Sequence, residues 1–170
     1  MEEKELLSQL ISLSYTKTDI TRRLRILREF FEQKYYSSGG RSLEEFLKTA
    51  KCTKEDSDML LSLDSKFYKN FTKSNTYPCL AKLDRLLNKE EVIHVYLPYE
   101  PMAEEKEKIG SWFKKNISKN VILDIQVDSS ITLGCAFAYK GIYHNFSLKY
   151  FMDIKRREIS QLLDKYVQNP

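Results

Sequence analysis

The apolar periodicity of this chain changes once, near residue 90, from the spacing of an amphipathic helix to the alternation of a strand. Leu6, Leu7, Leu10, Ile11 and Leu13 trace one stripe, and Ile20, Leu24, Leu27, Phe31 and Tyr35 trace a second. Thr18 is the expected N-cap of that second helix, and Ser37-Ser38-Gly39-Gly40 stops it. Ser42 with Glu45 forms a capping-box pattern that opens a third helix, and Thr53 with Asp56 opens a fourth, whose stripe runs through Leu60, Leu63, Phe67 and Phe71. After the breaker at 75–78, Leu80, Leu83, Leu86 and Leu87 make a fifth. Five short helices that each bury one face imply a bundle over residues 1–90.

Residues 91–170 read differently. Ile93, Val95 and Leu97 alternate with His94 and Tyr96, and Pro98 and Pro101 end that strand. Glu104 and Glu105 suit the positive end of a helix whose apolar face carries Ile109, Trp112 and Phe113. A second strand is expected at Val121, Leu123, Ile125 and Val127, with Ile122, Asp124 and Gln126 facing the other way. A turn at Asp128–Ser130 leads to a third strand over Ile131–Tyr139; Lys140-Gly141 reverses it into Ile142-Tyr143-His144. Ile159, Leu162, Leu163 and Tyr166 mark one closing helix. The reading is α+β: a helical bundle over 1–90, then a small β-α-β-β-α domain over 91–170.

The sequence offers little for chemistry. His94 and His144 are its two histidines, and Cys52, Cys79 and Cys135 lack the close pairing of a metal or redox site, so free thiols in a reducing compartment are expected. Neither a nucleophile elbow nor a glycine-rich phosphate loop occurs. Glu104, Glu105 and Glu107 are accounted for by the helix dipole. No catalytic, cofactor-binding or metal-ligating residue is therefore expected. The net charge of +4 comes from 28 basic and 24 acidic residues, which is not the balance of a strongly basic nucleic-acid module. Arg22, Arg25 and Arg28 could present a basic stripe, with Arg23 nearby; a solvated helix face is the plainer reading. Apolar runs stay far short of the roughly 20 residues that cross a bilayer, and the acidic start is unlike a secretory or transit leader. The chain is expected to stay where it is made.

From Leu80 onward the order of features resembles the delta subunit of rotary ATP synthases, called in mitochondria the oligomycin sensitivity conferral protein. The residues that carry the resemblance are the run Leu83–Pro98, a helix over Glu104–Asn116, Lys119-Asn120, the strand Val121–Val127, Asp128-Ser129-Ser130, Leu133-Gly134, Lys140-Gly141 and the helix start Asn145-Phe146-Ser147. Ser129 stands where that family usually has Pro, Leu133 replaces the first glycine of a pair, and Asn145-Phe146 replaces Asp-Gly.

The resemblance implies a mechanical, non-catalytic role with no cofactor. Such subunits sit in single copy on the catalytic head, bind the N-terminal helices of its alpha subunits through the bundle, and hold the b-type peripheral-stalk subunit through the smaller domain. The implied place is the cytoplasmic face of a bacterial inner membrane, reached through the complex, or an organellar inner membrane if a leader was removed. Leu6 and Leu10 of the first helix, with Leu83 and Leu87 of the fifth, are the residues expected to line a head-binding groove. Asp128, Ser129, Gly134, Gly141, Asn145 and Ser147 are the turn and hairpin positions of the family pattern. A small RNA-binding or ribosome-associated factor is the alternative, suggested by a pI of 8.8 and the arginines.

Overall fold

The computed structural model describes residues 2–37 and 40–168. Six helices come first: α1 (Glu3–Ser12), α2 (Lys17–Tyr36), α3 (Leu43–Thr49), α4 (Lys54–Ser62), α5 (Ser65–Lys69) and α6 (Thr76–Leu87). There follow β1 (Val92–Leu97), α7 (Ala103–Asn116), β2 (Ile122–Val127), β3 (Ala136–Tyr139), β4 (Ile142–Asn145), α8 (Leu148–Ile154) and α9 (Arg156–Gln168). The chain is thus α+β, with its helices concentrated before its strands.

Side-chain caps decide several of these boundaries. Ser42 and Glu45 close a reciprocal capping box at α3, and Thr53 Oγ1 accepts from the Asp56 N–H at α4. The cap of α2 is Thr16 rather than Thr18: its hydroxyl accepts from the Asp19 N–H at 3.1 Å. Extended backbone at Leu63 ends α4, and Asp64 caps α5, so Leu60, Leu63, Phe67 and Phe71 do not share one continuous helix. The first half holds six helices among the described residues, where five were expected. Pro78 lies inside the first turn of α6, where its missing N–H breaks no helical bond. Of the expected break at 37–40, Ser38 and Gly39 lie outside the described residues.

The helical core gathers apolar side chains from α1 to α6, among them Leu7, Leu27, Phe31, Leu60, Phe67 and Leu80, each at most 2% exposed. Aromatic rings fill its centre, with Phe31 and Phe71 stacked at 4.7 Å and Phe67 edge-on to Tyr68 at 5.3 Å. Tyr36, the last residue of α2, lies on the surface beside Tyr77.

The sheet has the order β2-β1-β3-β4. β1 and β2 are parallel and joined through α7, while β1–β3 and β3–β4 are antiparallel. Alternation sends Ile93, Val95, Leu123 and Phe137 to one face, where Phe113 and Ile109 of α7, and Ile117 just past its end, meet them. Val92 and Ile122 point to the opposite face, and Ile122 is 1% exposed within the helical core, so this end of the second face is buried rather than solvated. The third strand is shorter than expected because Gly134 takes a φ of +92°, which breaks the extended run before Cys135. The closing helix is two, divided at Lys155; Ile159 is partly buried and Leu163 exposed, while the side chains of Leu162 and Tyr166 lie outside the described residues.

Candidate functional site

The most distinctive surface is an apolar groove between α7 and the sheet. α7 packs on the sheet through Phe113, which also meets Phe137 of β3 edge-on, and a groove remains beside that contact. The resulting groove, about 500 Å³ in volume, is lined by Leu97, Ile109, Trp112, Cys135, Phe137 and Phe146, with Lys108 the charged side chain at its edge. Phe137 organises its floor: Phe113 meets it edge-on at 5.3 Å, and Phe146 and His144 stack on it at 5.8 and 4.7 Å. Trp112 is 54% exposed, and burial raises the pKa of the Cys135 thiol above its usual range.

Downstream of the groove the apolar surface continues. Leu148, Tyr150, Phe151, Met152 and Ile154 fill five of the seven positions of α8, and none of that helix is buried. Lys149 and Asp153, four positions apart, share one side of α8, and the apolar side chains occupy the rest of its circumference.

The family-pattern positions shape the end of the sheet from which this arm leaves. Asp128 follows β2 directly; its N–H donates to the Leu97 carbonyl, and its carboxylate accepts from the Ser130 N–H at 2.9 Å. Hydrogen bonding to Ser130 holds that carboxyl below its usual pKa. Ser129 is exposed in the same turn. At this same end, a Cβ on Gly134 would fall against the Phe146 carbonyl and 3.1 Å from Ser147 Cα. Glycine therefore permits the close approach sealed by Phe146 N–H to Cys135 O at 2.8 Å and Leu148 N–H to Leu133 O at 2.9 Å. Asn145 Oδ1 accepts from the Ser147 N–H, and Ser147 Oγ accepts from the Tyr150 N–H as the cap of α8. Gly141, with φ +77°, lies at the opposite end, in the β3–β4 turn with Lys140.

Leu6, Leu10, Leu83 and Leu87 are not brought to any surface. They are between 0% and 2% exposed, packed in the helical core where α1 lies against α6. The expected groove lined by these four is corrected: a helix interface already present within the chain consumes the same leucine spacing.

The arginines are likewise engaged. Arg22 and Arg23 both bind Asp56, which is fully buried, and Arg28 pairs with Asp84 at 3.2 Å; of the four, Arg25 projects furthest into water, at the edge of ion-pair distance from Glu29. His94 pairs with Asp124 across β1 and β2 at 3.0 Å. Among the described residues no group of three or more His, Cys, Asp or Glu side chains is placed to hold a metal, and no helix is long and apolar enough to cross a membrane.

A joint between the helices and the sheet was not foreseen. The Leu123 N–H donates to the Tyr15 carbonyl at 3.0 Å and Thr16 bridges Leu123, so the α1–α2 connection lies along the free edge of β2. The ring of Tyr15 occupies the space a side chain at Gly110 would need. Lys114 Nζ donates to the Ile11 and Ser12 carbonyls at 2.8 Å each, where it meets the negative end of α1, and sits 4.9 Å from the Tyr15 ring centroid. Burial and the nearby Arg23 charge pull its pKa down to about 8. The one visible sequence signal for this joint is a glycine inside an otherwise amphipathic helix.

No protein-family model matches the chain, and no curated protein matches it.

Proposed function

We propose that this chain is a non-catalytic connector that holds amphipathic helices of other proteins, and that it serves as the peripheral-stalk connector of a rotary ATP synthase. In this reading residues 1–90 form a helical module directed at the alpha-subunit N-terminal helices of the catalytic head. The second half, with β1, α7, β2, β3, β4, α8 and α9, holds the C-terminal end of the b-type stalk subunit. The link resists rotor torque during proton-driven ATP synthesis, at the cytoplasmic face of the membrane that carries the complex.

The observation that supports the reading is the apolar groove between α7 and the sheet, lined by Leu97, Ile109, Trp112, Phe137 and Phe146. The joint at Tyr15, Gly110 and Lys114 suits a part under load, because it ties the helices to the sheet by packing and hydrogen bonds together. The surface that would receive the alpha-subunit helices is left unassigned by this reading, since Leu6, Leu10, Leu83 and Leu87 lie in the core. Pairing with Asp56 and Asp84 takes Arg22, Arg23 and Arg28 out of the basic stripe that, with the pI of 8.8, suggested the nucleic-acid alternative.

The test is calorimetric titration of the full chain with two synthetic helices, one from the alpha-subunit N-terminus and one from the C-terminal end of the b-type subunit of the same organism. Saturable one-to-one binding of both is expected, with Trp112→Glu weakening the stalk peptide at least tenfold. Absence of binding to either peptide would overturn the reading.

A further inference from the structure

The helices and the sheet enclose another cleft, on the face of the sheet opposite α7. Val92 and Ile122 pack against the helical core at one end of that face, and His94 and Asp124 stand two positions further along β1 and β2. Across from Asp124 lies α2, whose Lys17, Thr21 and Arg25 recur at i, i+4 and i+8 with Thr18 and Arg22 alongside. These five residues and Asp124 line a cavity of about 460 Å³. Clefts that hold small molecules run from about 300 to 1,000 Å³ and favour the junction of two packed units.

The two walls differ in what they offer. Asp56 and Asp19 balance Arg22 and Arg23 and hold the Arg22 guanidinium through Nε and Nη2, so that Nη1 has no protein partner among the described residues. Lys17 makes no ion pair among the described residues, and Arg25 reaches Glu29 only at 4.0 Å. The facing wall carries one carboxylate, and its orientation is fixed. Asp124 Oδ2 bonds His94 Nδ1 at 3.0 Å and accepts from Gln126 Nε2 at 2.8 Å, while Oδ1 has no partner among the described residues. The cleft thus sets cationic N–H donors and the Thr18 hydroxyl on one side against one open acceptor on the other.

We propose that this cleft binds a small phosphate ester that carries a hydroxyl group, with the phosphate against Lys17, Arg22 and Arg25 and the hydroxyl donating to Asp124 Oδ1. A phosphate oxygen cluster accepts several charge-assisted hydrogen bonds at once. The Asp124 carboxylate selects the rest of the ligand, because it accepts from a hydroxyl and repels a second anionic group. An inorganic anion leaves that acceptor unused, and a dicarboxylate or an acidic peptide brings like charges together. The inference goes beyond the connector reading and uses a surface other than its groove.

Calorimetric titration of the full chain at low salt tests it, with glycerol 3-phosphate as the probe. Saturable one-to-one binding is expected, tighter than that of inorganic phosphate by about fivefold or more, the worth of one added hydrogen bond to a charged group. Glycerol and glutarate should show no binding. Lys17→Ala and Arg25→Ala, at positions that are not buried, should each weaken the ester by about fivefold or more with an unchanged circular dichroism spectrum. Asp124→Ala should erase the preference for the ester over inorganic phosphate without weakening inorganic phosphate itself. No saturable binding, an ester no tighter than inorganic phosphate, glutarate binding as well as the ester, or affinity indifferent to Lys17, Arg25 and Asp124 would each overturn the proposal.

Discussion

Arg23 Nε donates to Oδ1 of Asp56 at 2.8 Å, and neither side chain reaches solvent to any extent, with exposures of 6% and 0%. Arg22 Nε takes the other carboxylate oxygen at 2.6 Å and Thr53 donates to it at 2.9 Å, so Asp56 is held by α2 and by its own helix cap at once. Arg23 then extends the network outward, donating to Ser14 Oγ at 2.6 Å and to the Leu13 carbonyl at 3.2 Å, in the connection that also meets α7.

Replacing Asp56 by Ala strands the Arg23 charge without removing the cost of burying it. A loss of about 3–5 kcal/mol in chemical denaturation is expected, the range for breaking one partner of a buried pair. Arg25→Ala, at a side chain 71% exposed, should change stability by less than about 0.5 kcal/mol. Equal effects of the two substitutions would contradict the network.

The acid limb of the stability profile should carry the signature of the same residue. Burial alone would raise the Asp56 pKa, but hydrogen bonds from Arg22, Thr53 and Arg23 outweigh it and hold the group below its ordinary 3.8. A carboxyl depressed in the fold contributes stability that is fully present above pH 3.8 and disappears as pH falls through the folded value. Comparing wild type with Asp56→Asn by thermal melts, the gap between them should be constant from pH 6 to 8 and narrow below about pH 4.

How much of this was legible in the sequence depends on range. The change of period near residue 90 separates helices from strands because it is a local property of side-chain spacing. Ser42 and Thr53 were readable as caps for the same reason. Thr16 was not, because the backbone at Tyr15 and Thr16 is drawn out by β2, more than a hundred residues away. The arginines of α2 looked like a stripe for want of Asp56, which only the fold brings to Arg22 and Arg23. Leu6, Leu10, Leu83 and Leu87 show the limit most plainly: a partner groove and an internal helix interface demand the same spacing, and α1 against α6 already satisfies it.

Gly134 and Gly141 should answer differently to alanine. Both have positive φ, but a Cβ at Gly134 meets the Phe146 carbonyl whereas one at Gly141 meets open space. Gly141→Ala should cost about 1–2 kcal/mol, the strain of a left-handed non-glycine residue. Gly134→Ala should cost more and should also displace Phe146, visible as weaker binding of an apolar dye in the groove. A larger loss at Gly141 would contradict the close approach.

Lys114 makes the helix–sheet joint sensitive to alkaline pH in a direction opposite to that of an ordinary surface lysine. Unfolded, the group keeps its proton up to about 10.5; folded, it releases it near 8. Between those values the unfolded chain binds more protons, so raising the pH favours the fold. The neutral amine still carries two hydrogens for the Ile11 and Ser12 carbonyls. The melting temperature of wild type relative to Lys114→Gln should therefore climb from pH 8 to 10, and a flat difference would show that burial does not govern this lysine.

Gly110→Ala tests the same joint by volume. Helix propensity alone favours alanine by about 1 kcal/mol. Against that, the new Cβ would lie 2.7 Å from both Cβ and Cγ of Tyr15, and Cβ cannot swing away without moving the backbone that pairs with Leu123. Overpacking of this kind costs about 1–3 kcal/mol, so the substitution should destabilise despite the better helix former. Tyr15→Ala removes the Cγ contact and lets the connection relax, so alanine at position 110 should be less harmful in that background. The double-mutant cycle should return a coupling of about 1 kcal/mol or more, whereas additive effects would mean that Tyr15 and Gly110 do not share a contact.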